Sequence, residues 1–279
     1  MHKTKTGLLK TLWQVGVYGL LGIYGASIFF FALKPLLGWP IPRLLGPIST
    51  LFVWAFALGH ALWTLGWRHA LVFFGVAFVA GLAFEAVGVA TGWVYGGYHY
   101  SPRLGPMLFR VPVLIPLSWF MVIYLAFALA GRLADGSDRT ASFGRAMLNC
   151  FVGAIVATAW DVVADPQMAR TGLWVWEQPG EFFGVPVRNF AGWMATSFIV
   201  LLVYRAVTRD WPPRPWGESS RLFAALPLIA YGALALSFVI GYSVQEEGAL
   251  AVVAFFTMGA FACFALAREG ERSERKAGL

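Results

Sequence analysis

Runs of about 20 apolar residues recur from one end of this sequence to the other, and that recurrence decides the fold class before any motif is considered. A helix needs about 20 residues to cross about 30 Å of hydrocarbon. Eight such runs are legible, at roughly 11–33, 44–66, 69–92, 111–134, 144–165, 190–208, 221–243 and 249–267. Backbone groups surrounded by lipid must be satisfied within their own segment, so the expected architecture is all-α: a polytopic membrane bundle of about eight transmembrane helices in a single integral domain, 1–279. Composition agrees, because 59% of the residues are hydrophobic and only 13% charged, about half the charged share of a soluble domain. The first run follows Lys3, Lys5 and Lys10 as a secretory signal would. It is long, lacks a clear cleavage site and precedes seven more spans, so it reads as a retained helix. Cys150 and Cys263 both lie inside apolar runs and read as small packing residues rather than a disulfide or metal site.

A formal charge of +7 raises the question of nucleic acid, but the cations are scattered between apolar segments rather than gathered into a patch. They read instead as topology signals, since cytoplasmic loops carry the excess of Lys and Arg. Assigned to the two sides of an eight-span topology, 15 of the 21 fall on the side of the termini; Lys34, Arg43, Arg103, Arg110, Arg170 and Arg188 fall on the other. The expectation is a multi-pass protein of the cell membrane with both termini cytoplasmic, including a tail at 268–279.

The two long loops of the opposite face, about 93–110 and 166–189, hold the unusual residues. The first carries Trp93, Tyr95, Tyr98 and Tyr100, the second Trp174, Trp176, Phe182 and Phe183. Interfacial aromatics are common in membrane proteins, but here they fall into a repeated pattern. Glu85 stands six residues before Thr91-Gly92, and Asp165 six before Thr171-Gly172. Val111-Pro112-Val113 leads to Trp119 with the spacing by which Val185-Pro186-Val187 leads to Trp193. Spans 3–4 and 5–6 therefore read as a parallel internal repeat about an axis along the membrane normal, which would put Glu85 and Asp165 at equivalent depths across a shared cleft.

A carboxyl group inside a membrane span is costly enough that function is its default reading, and Glu85 lies in an otherwise uncharged stretch from Val72 to Thr91. Asp161 and Asp165 are four apart, on one helix face, and Pro166 favours ending the helix just after them. Two like charges at that spacing repel, so one carboxyl tends to keep a proton while the other ionises, the division an acid and a base require. Asn189 and Arg188 are weaker candidates for positioning water or a polar end group. His2, His60, His69 and His99 form no HxxH or HxxxH pair, there is no GxGxxG after a strand and no GxxxxGK[ST]; no metal or nucleotide site is expected. His60 and His69 read as interfacial.

Acids beside aromatic rings at a membrane boundary suit carbocation chemistry on a lipid: a carboxylic acid protonates an alkene, and ring faces stabilise the cation. The same residues leave open ring closure or isomerisation of that cation, a prenyltransferase binding Mg²⁺ through Asp161 and Asp165, and a transporter using intramembrane acids as a proton relay.

The run Trp160-Asp161-Val162-Val163-Ala164-Asp165-Pro166-Gln167-Met168, followed by Gly172, Trp174 and Trp176 and then by Phe183-Gly184-Val185-Pro186-Val187-Arg188-Asn189-Phe190-Ala191-Gly192-Trp193, resembles the membrane carotenoid biosynthesis proteins that include carotenoid hydratases. Glu85, Gly96-Gly97-Tyr98-His99-Tyr100 and Val111-Pro112 through Pro116-Leu117-Ser118-Trp119 are similar to that family's upstream segment. The resemblance covers about 84–193, which would be the catalytic core. It implies addition of water across the terminal C1=C2 double bond of an acyclic carotenoid end group, giving a tertiary alcohol without an organic cofactor. Membrane lipids and other carotenoid enzymes would be its partners. On that reading Glu85, Asp161 and Asp165 carry the acid–base chemistry, with Asp161 or Glu85 as donor, and Asp165 takes the proton from a water oriented by Asn189. Trp93, Trp174 and Trp176 would shield the cation, and Tyr95, Tyr98, Trp119, Trp160, Phe183 and Trp193 would complete the substrate site.

Overall fold

A computed structural model describes residues 2–40, 45–134 and 142–277. The helices are α1 (His2–Leu37), α2 (Leu45–Thr64), α3 (Trp67–Thr91), α4 (Leu114–Leu133), α5 (Phe143–Arg170), α6 (Val187–Val207), α7 (Arg221–Val244), α8 (Gly248–Ala254) and α9 (Ala260–Ala277). A π-helical turn, Phe255–Gly259, joins α8 to α9 into one span. Among the described residues, eight helices are long and apolar enough to cross a membrane, at the positions where the apolar runs place them. Arg43 and Arg139 of the charge count lie outside the described residues, as do the side chains of Lys3, Lys5, Arg275 and Lys276.

Helix α4 forms the axis of the bundle, packed by α2, α3, α5, α7 and α9, and Trp119, Phe120, Ile123 and Leu129 on it are essentially inaccessible. The two histidines read from sequence as interfacial are buried within the protein, for reasons that follow from the backbone. Pro227 has no N–H, which strips the carbonyl of Phe223 of its helical donor. The Nε2–H of His60 donates to that oxygen at 2.8 Å, leaving Nδ1 to accept from the Tyr124 hydroxyl at 2.6 Å. His69 is likewise placed between the Trp211 carbonyl and the Tyr204 hydroxyl, each at 3.1 Å.

Pro166 does not end α5, which runs on to Arg170. The turn that the proline weakens is held by buried Val163 and Ala164 and by the Tyr242 hydroxyl, which donates to the Val163 carbonyl at 2.5 Å. The helix stops at Gly172, in the left-handed region at φ +68°. There the N–H groups of Gly172 and Leu173 donate to the carbonyls of Ala169 and Met168, a Schellman closure that favours glycine.

Four short strands lie at the end of the bundle opposite the termini. β1 (Tyr98–Tyr100) pairs antiparallel with β4 (Trp174–Trp176), with Tyr98 opposite Trp176 and Tyr100 opposite Trp174. β2 (Met107–Leu108) and β3 (Val111–Pro112) form a hairpin whose two-residue turn, Phe109-Arg110, has both φ angles positive. The second loop contains a like turn, Phe183-Gly184, again with both φ positive, closed by a bridge between Phe182 and Val185.

Candidate active site

Glu85, Asp161, Asp165 and Asn189 are all buried, 2–3% exposed, beneath the β1–β4 ribbon. Successive side chains of a strand alternate, so Tyr98 and Tyr100 share a face with Trp174 and Trp176 opposite. Cross-strand rings approach to centroid distances of 5.1 Å for Tyr98–Trp176 and 6.0 Å for Tyr100–Trp174.

From that face the ribbon supplies donors to the acids of two different helices. The hydroxyls of Tyr98 and Tyr100 both donate to Glu85 Oε2, the latter at 2.7 Å, and the Trp119 indole N–H donates to Oε1 at 2.9 Å. Across the strand pair, the Trp174 indole N–H donates to Asp165 Oδ1 at 2.5 Å. Asn189, in the first turn of α6, uses one amide nitrogen for two carboxyls, donating to Asp161 Oδ2 at 2.6 Å and to Asp165 Oδ2 at 2.7 Å.

These contacts distinguish the three carboxyls. Both oxygens of Glu85 and both of Asp165 have N–H or O–H partners. Asp161 uses only Oδ2, so among the described residues Oδ1 is the one carboxyl oxygen of the cluster without a donor. The phenols of Tyr95, Tyr98 and Tyr100 are pushed well above their ordinary range by burial and then by the neighbouring Glu85 charge, which keeps them neutral donors.

Aromatic rings wall the cluster. Trp119 stacks on Trp193 at 3.9 Å, Trp193 meets Trp160 at 5.3 Å and Tyr95 lies 6.4 Å from Trp119. The Trp160 indole N–H is buried with no acceptor among the described residues. Tyr95 is clamped between helices: a Cβ on Gly88 would come within 2.8 Å of its ring and one on Gly192 within 2.5 Å. Its hydroxyl bonds Thr196 at 3.0 Å.

Thus Glu85, Tyr95, Tyr98, Trp119, Trp160, Asp161, Asp165, Trp174, Trp176, Asn189 and Trp193 are brought together. Trp93 is 73% exposed, and Phe183, 44% exposed, packs on Phe182 at the hairpin tip; neither joins the cluster. Tyr100 and Thr196 were not singled out as site residues from sequence. The two-residue spacing of Tyr98 and Tyr100 was the available signal for the first, once a strand is assumed; Thr196 had none. The described residues contain no group of three or more His, Cys, Asp or Glu side chains arranged to hold a metal ion.

Comparison with known proteins gives two findings. A sequence model described as carotenoid biosynthesis protein matches residues 45–261. The chain is also 36% identical over 121 residues to bisanhydrobacterioruberin hydratase of Haloarcula japonica, a match covering 43% of this chain and 39% of that protein. The match thus spans about two-fifths of the length of this curated relative. No solved structure matches.

Proposed function

Since this chain belongs to the carotenoid biosynthesis protein family, we propose that it is a carotenoid hydratase, adding water across the terminal C1=C2 double bond of an acyclic end group on a C40 or C50 polyene. The observation that carries the proposal is the Asn189 bridge. One amide joins a carboxyl with a free oxygen, Asp161, to a carboxylate with both oxygens engaged, Asp165. That is an acid and a base held side by side in an apolar wall.

In this mechanism Asp161 gives its proton to C2 and the π electrons leave a tertiary cation at C1. The electron-rich rings around the cluster, with Trp174 and Trp176 bordering Asp165, stabilise the cation by cation–π attraction. A water held by the Trp160 N–H puts its oxygen lone pair on C1, and Asp165 takes the proton released. Transfer of that proton from Asp165 to Asp161 restores the pair, so one alkene and one water become one tertiary alcohol with no oxidant, reductant or organic cofactor. Glu85, fixed as a carboxylate by three donors, supplies a counter-charge rather than the proton.

The two like hairpin turns, the glycine ends of α3 and α5 and the Trp119–Trp193 stack support reading α3–α4 and α5–α6 as a parallel repeat, with β1, β4 and the two tryptophans meeting at its axis. We place the protein in the cell membrane with cytoplasmic termini, among lipids and other carotenoid-forming enzymes.

Expression in a bacterium that accumulates lycopene, followed by pigment chromatography and mass spectrometry, tests the proposal. A gain of about 18 mass units per end with an unchanged visible spectrum is expected, because hydration of an isolated double bond spares the conjugated chain. A product of unchanged mass would instead assign cyclisation or isomerisation. Absence of any product from either a lycopene or a bisanhydro-C50 host would overturn the enzyme reading.

A further inference from the structure

A concave site opens at the end of the bundle away from the acid cluster, where the termini lie. It is a crevice of about 770 Å³ between the start of α1, the ends of α2 and α4, and the segment leading into α7. Its volume falls in the range of small-molecule sites. A core of fully buried rings and aliphatic groups, Phe73, Phe120 and Ile123 among them, separates it from the acid cluster. Lying 13 residues along α4, Trp119 and Arg132 are about 20 Å apart at a helical rise of about 1.5 Å per residue. The hydration mechanism makes no use of this space.

Its lining is graded from apolar to cationic. Leu65, Phe127 and Ala224 form an apolar flank, and Thr64 and Tyr124 bring hydroxyls to the wall. Two cations reach the crevice from different helices: Lys10 on α1 and Arg132 on α4. Arg132 is held by Glu269 through Nε, which fixes the guanidinium and leaves its terminal N–H groups without a partner among the described residues. Lys10 has no ion pair among the described residues. The first turn of α7, capped by Ser220, opens beside the crevice and adds the positive end of a helix dipole. Among the described residues the only carboxylate on the lining is Glu218, which is exposed.

We propose that this crevice binds a phosphate-bearing anion, the phosphodiester headgroup of an anionic glycerophospholipid, with Lys10 and Arg132 on the phosphate and the apolar flank against the first acyl carbons. Basic pockets between transmembrane helices hold such headgroups by this combination of point charge and adjoining apolar wall. A free phosphate ion shares the charge chemistry and lacks only the apolar contact.

Native mass spectrometry of the intact protein, released from nanodiscs of phosphatidylglycerol or phosphatidylcholine, tests the proposal alongside titration with inorganic phosphate. Retention of phosphatidylglycerol in at least about tenfold excess over phosphatidylcholine is expected. Lys10→Glu should lower that retention about tenfold, and Glu218→Lys should raise it severalfold. The second variant adds rather than removes a contact, so the proposal stays testable if the first destabilises the fold. Equal retention of the two lipids, or retention unchanged in both variants, would overturn the site. Inorganic phosphate displacing phosphatidylglycerol at millimolar concentration would assign the ion rather than the lipid as occupant.

Discussion

The assignment of Asp161 as acid and Asp165 as base predicts opposite balances of stability and activity for two substitutions that differ by one helical turn. In Asp161→Asn a neutral acid becomes a neutral amide of the same shape. Its oxygen continues to accept from Asn189 at the 2.6 Å position, and its NH₂ takes the place of Oδ1, which has no donor to oppose it. Stability should therefore change by less than about 1 kcal/mol. The proton needed at C2 is gone, and loss of a general acid costs about 10²- to 10⁴-fold, or about 2.7 to 5.5 kcal/mol of barrier. In Asp165→Asn both oxygens were accepting, from Trp174 and Asn189, and neither of those N–H groups can accept in return. One orientation or the other sets donor against donor in a buried site, so about 1.5 to 3 kcal/mol of stability is lost along with activity. The assays are hydration rate in proteoliposomes by pigment mass spectrometry and thermal unfolding in detergent. Retention of hydration within about threefold in inserted Asp161→Asn protein would refute the acid assignment. Equal destabilisation by the two substitutions would refute the placement of the proton.

Glu85→Gln should destabilise by about 1.5 to 3 kcal/mol, seen by thermal unfolding, because either amide orientation leaves the Trp119 N–H facing another N–H or deprives Tyr98 and Tyr100 of their acceptor. Gly192→Ala would put a Cβ 2.5 Å from the Tyr95 ring and 2.7 Å from the Val94 carbonyl; a loss of about 1 to 3 kcal/mol is expected, with reduced hydration as the clamp opens. The raised phenols of Tyr95, Tyr98 and Tyr100 stay protonated in the fold while an unfolded chain ionises near pH 10. Their contribution to stability is thus complete below pH 10 and falls as pH rises above it. Absorbance titration at about 295 nm should show these three ionising only with alkaline unfolding.

Helix number and position were legible because apolar runs of bilayer length leave one solution for the backbone. The stop of α5 was misplaced by five residues, since a proline read locally removes a donor, whereas Tyr242 and the buried packing of Val163 and Ala164 act from outside the segment. The burial of His60 and His69 was not legible for a related reason. Their partners include backbone carbonyls of Phe223 and Trp211, more than 140 positions away, and one of these needs a donor only because of Pro227. Within the site, acids in apolar spans and aromatics in long loops were visible as composition. What each acid accepts depends on the β1–β4 register, and two three-residue strands separated by more than 70 positions leave little trace in sequence.

The arrangement of donors follows from where the acids stand on their helices. Glu85 lies six residues before the end of α3 and Asp165 five before the end of α5, so both approach the ends at which a helix dipole is negative. Burial there compounds the cost of a carboxylate, and only donors brought from other elements offset it. The chain supplies five, from Tyr98 and Tyr100 on β1, Trp174 on β4, Trp119 on α4 and Asn189 on α6. The ribbon is therefore more than a cover for the bundle, since without it Glu85 would keep one donor and Asp165 one. Of the three acids only Asp161 is left, among the described residues, with an unengaged oxygen, and it stands a full turn deeper into the helix than Asp165. Under the proposed mechanism Asp161 gives up its proton while Asp165, which takes the proton released by water, is already held by donors from β4 and α6.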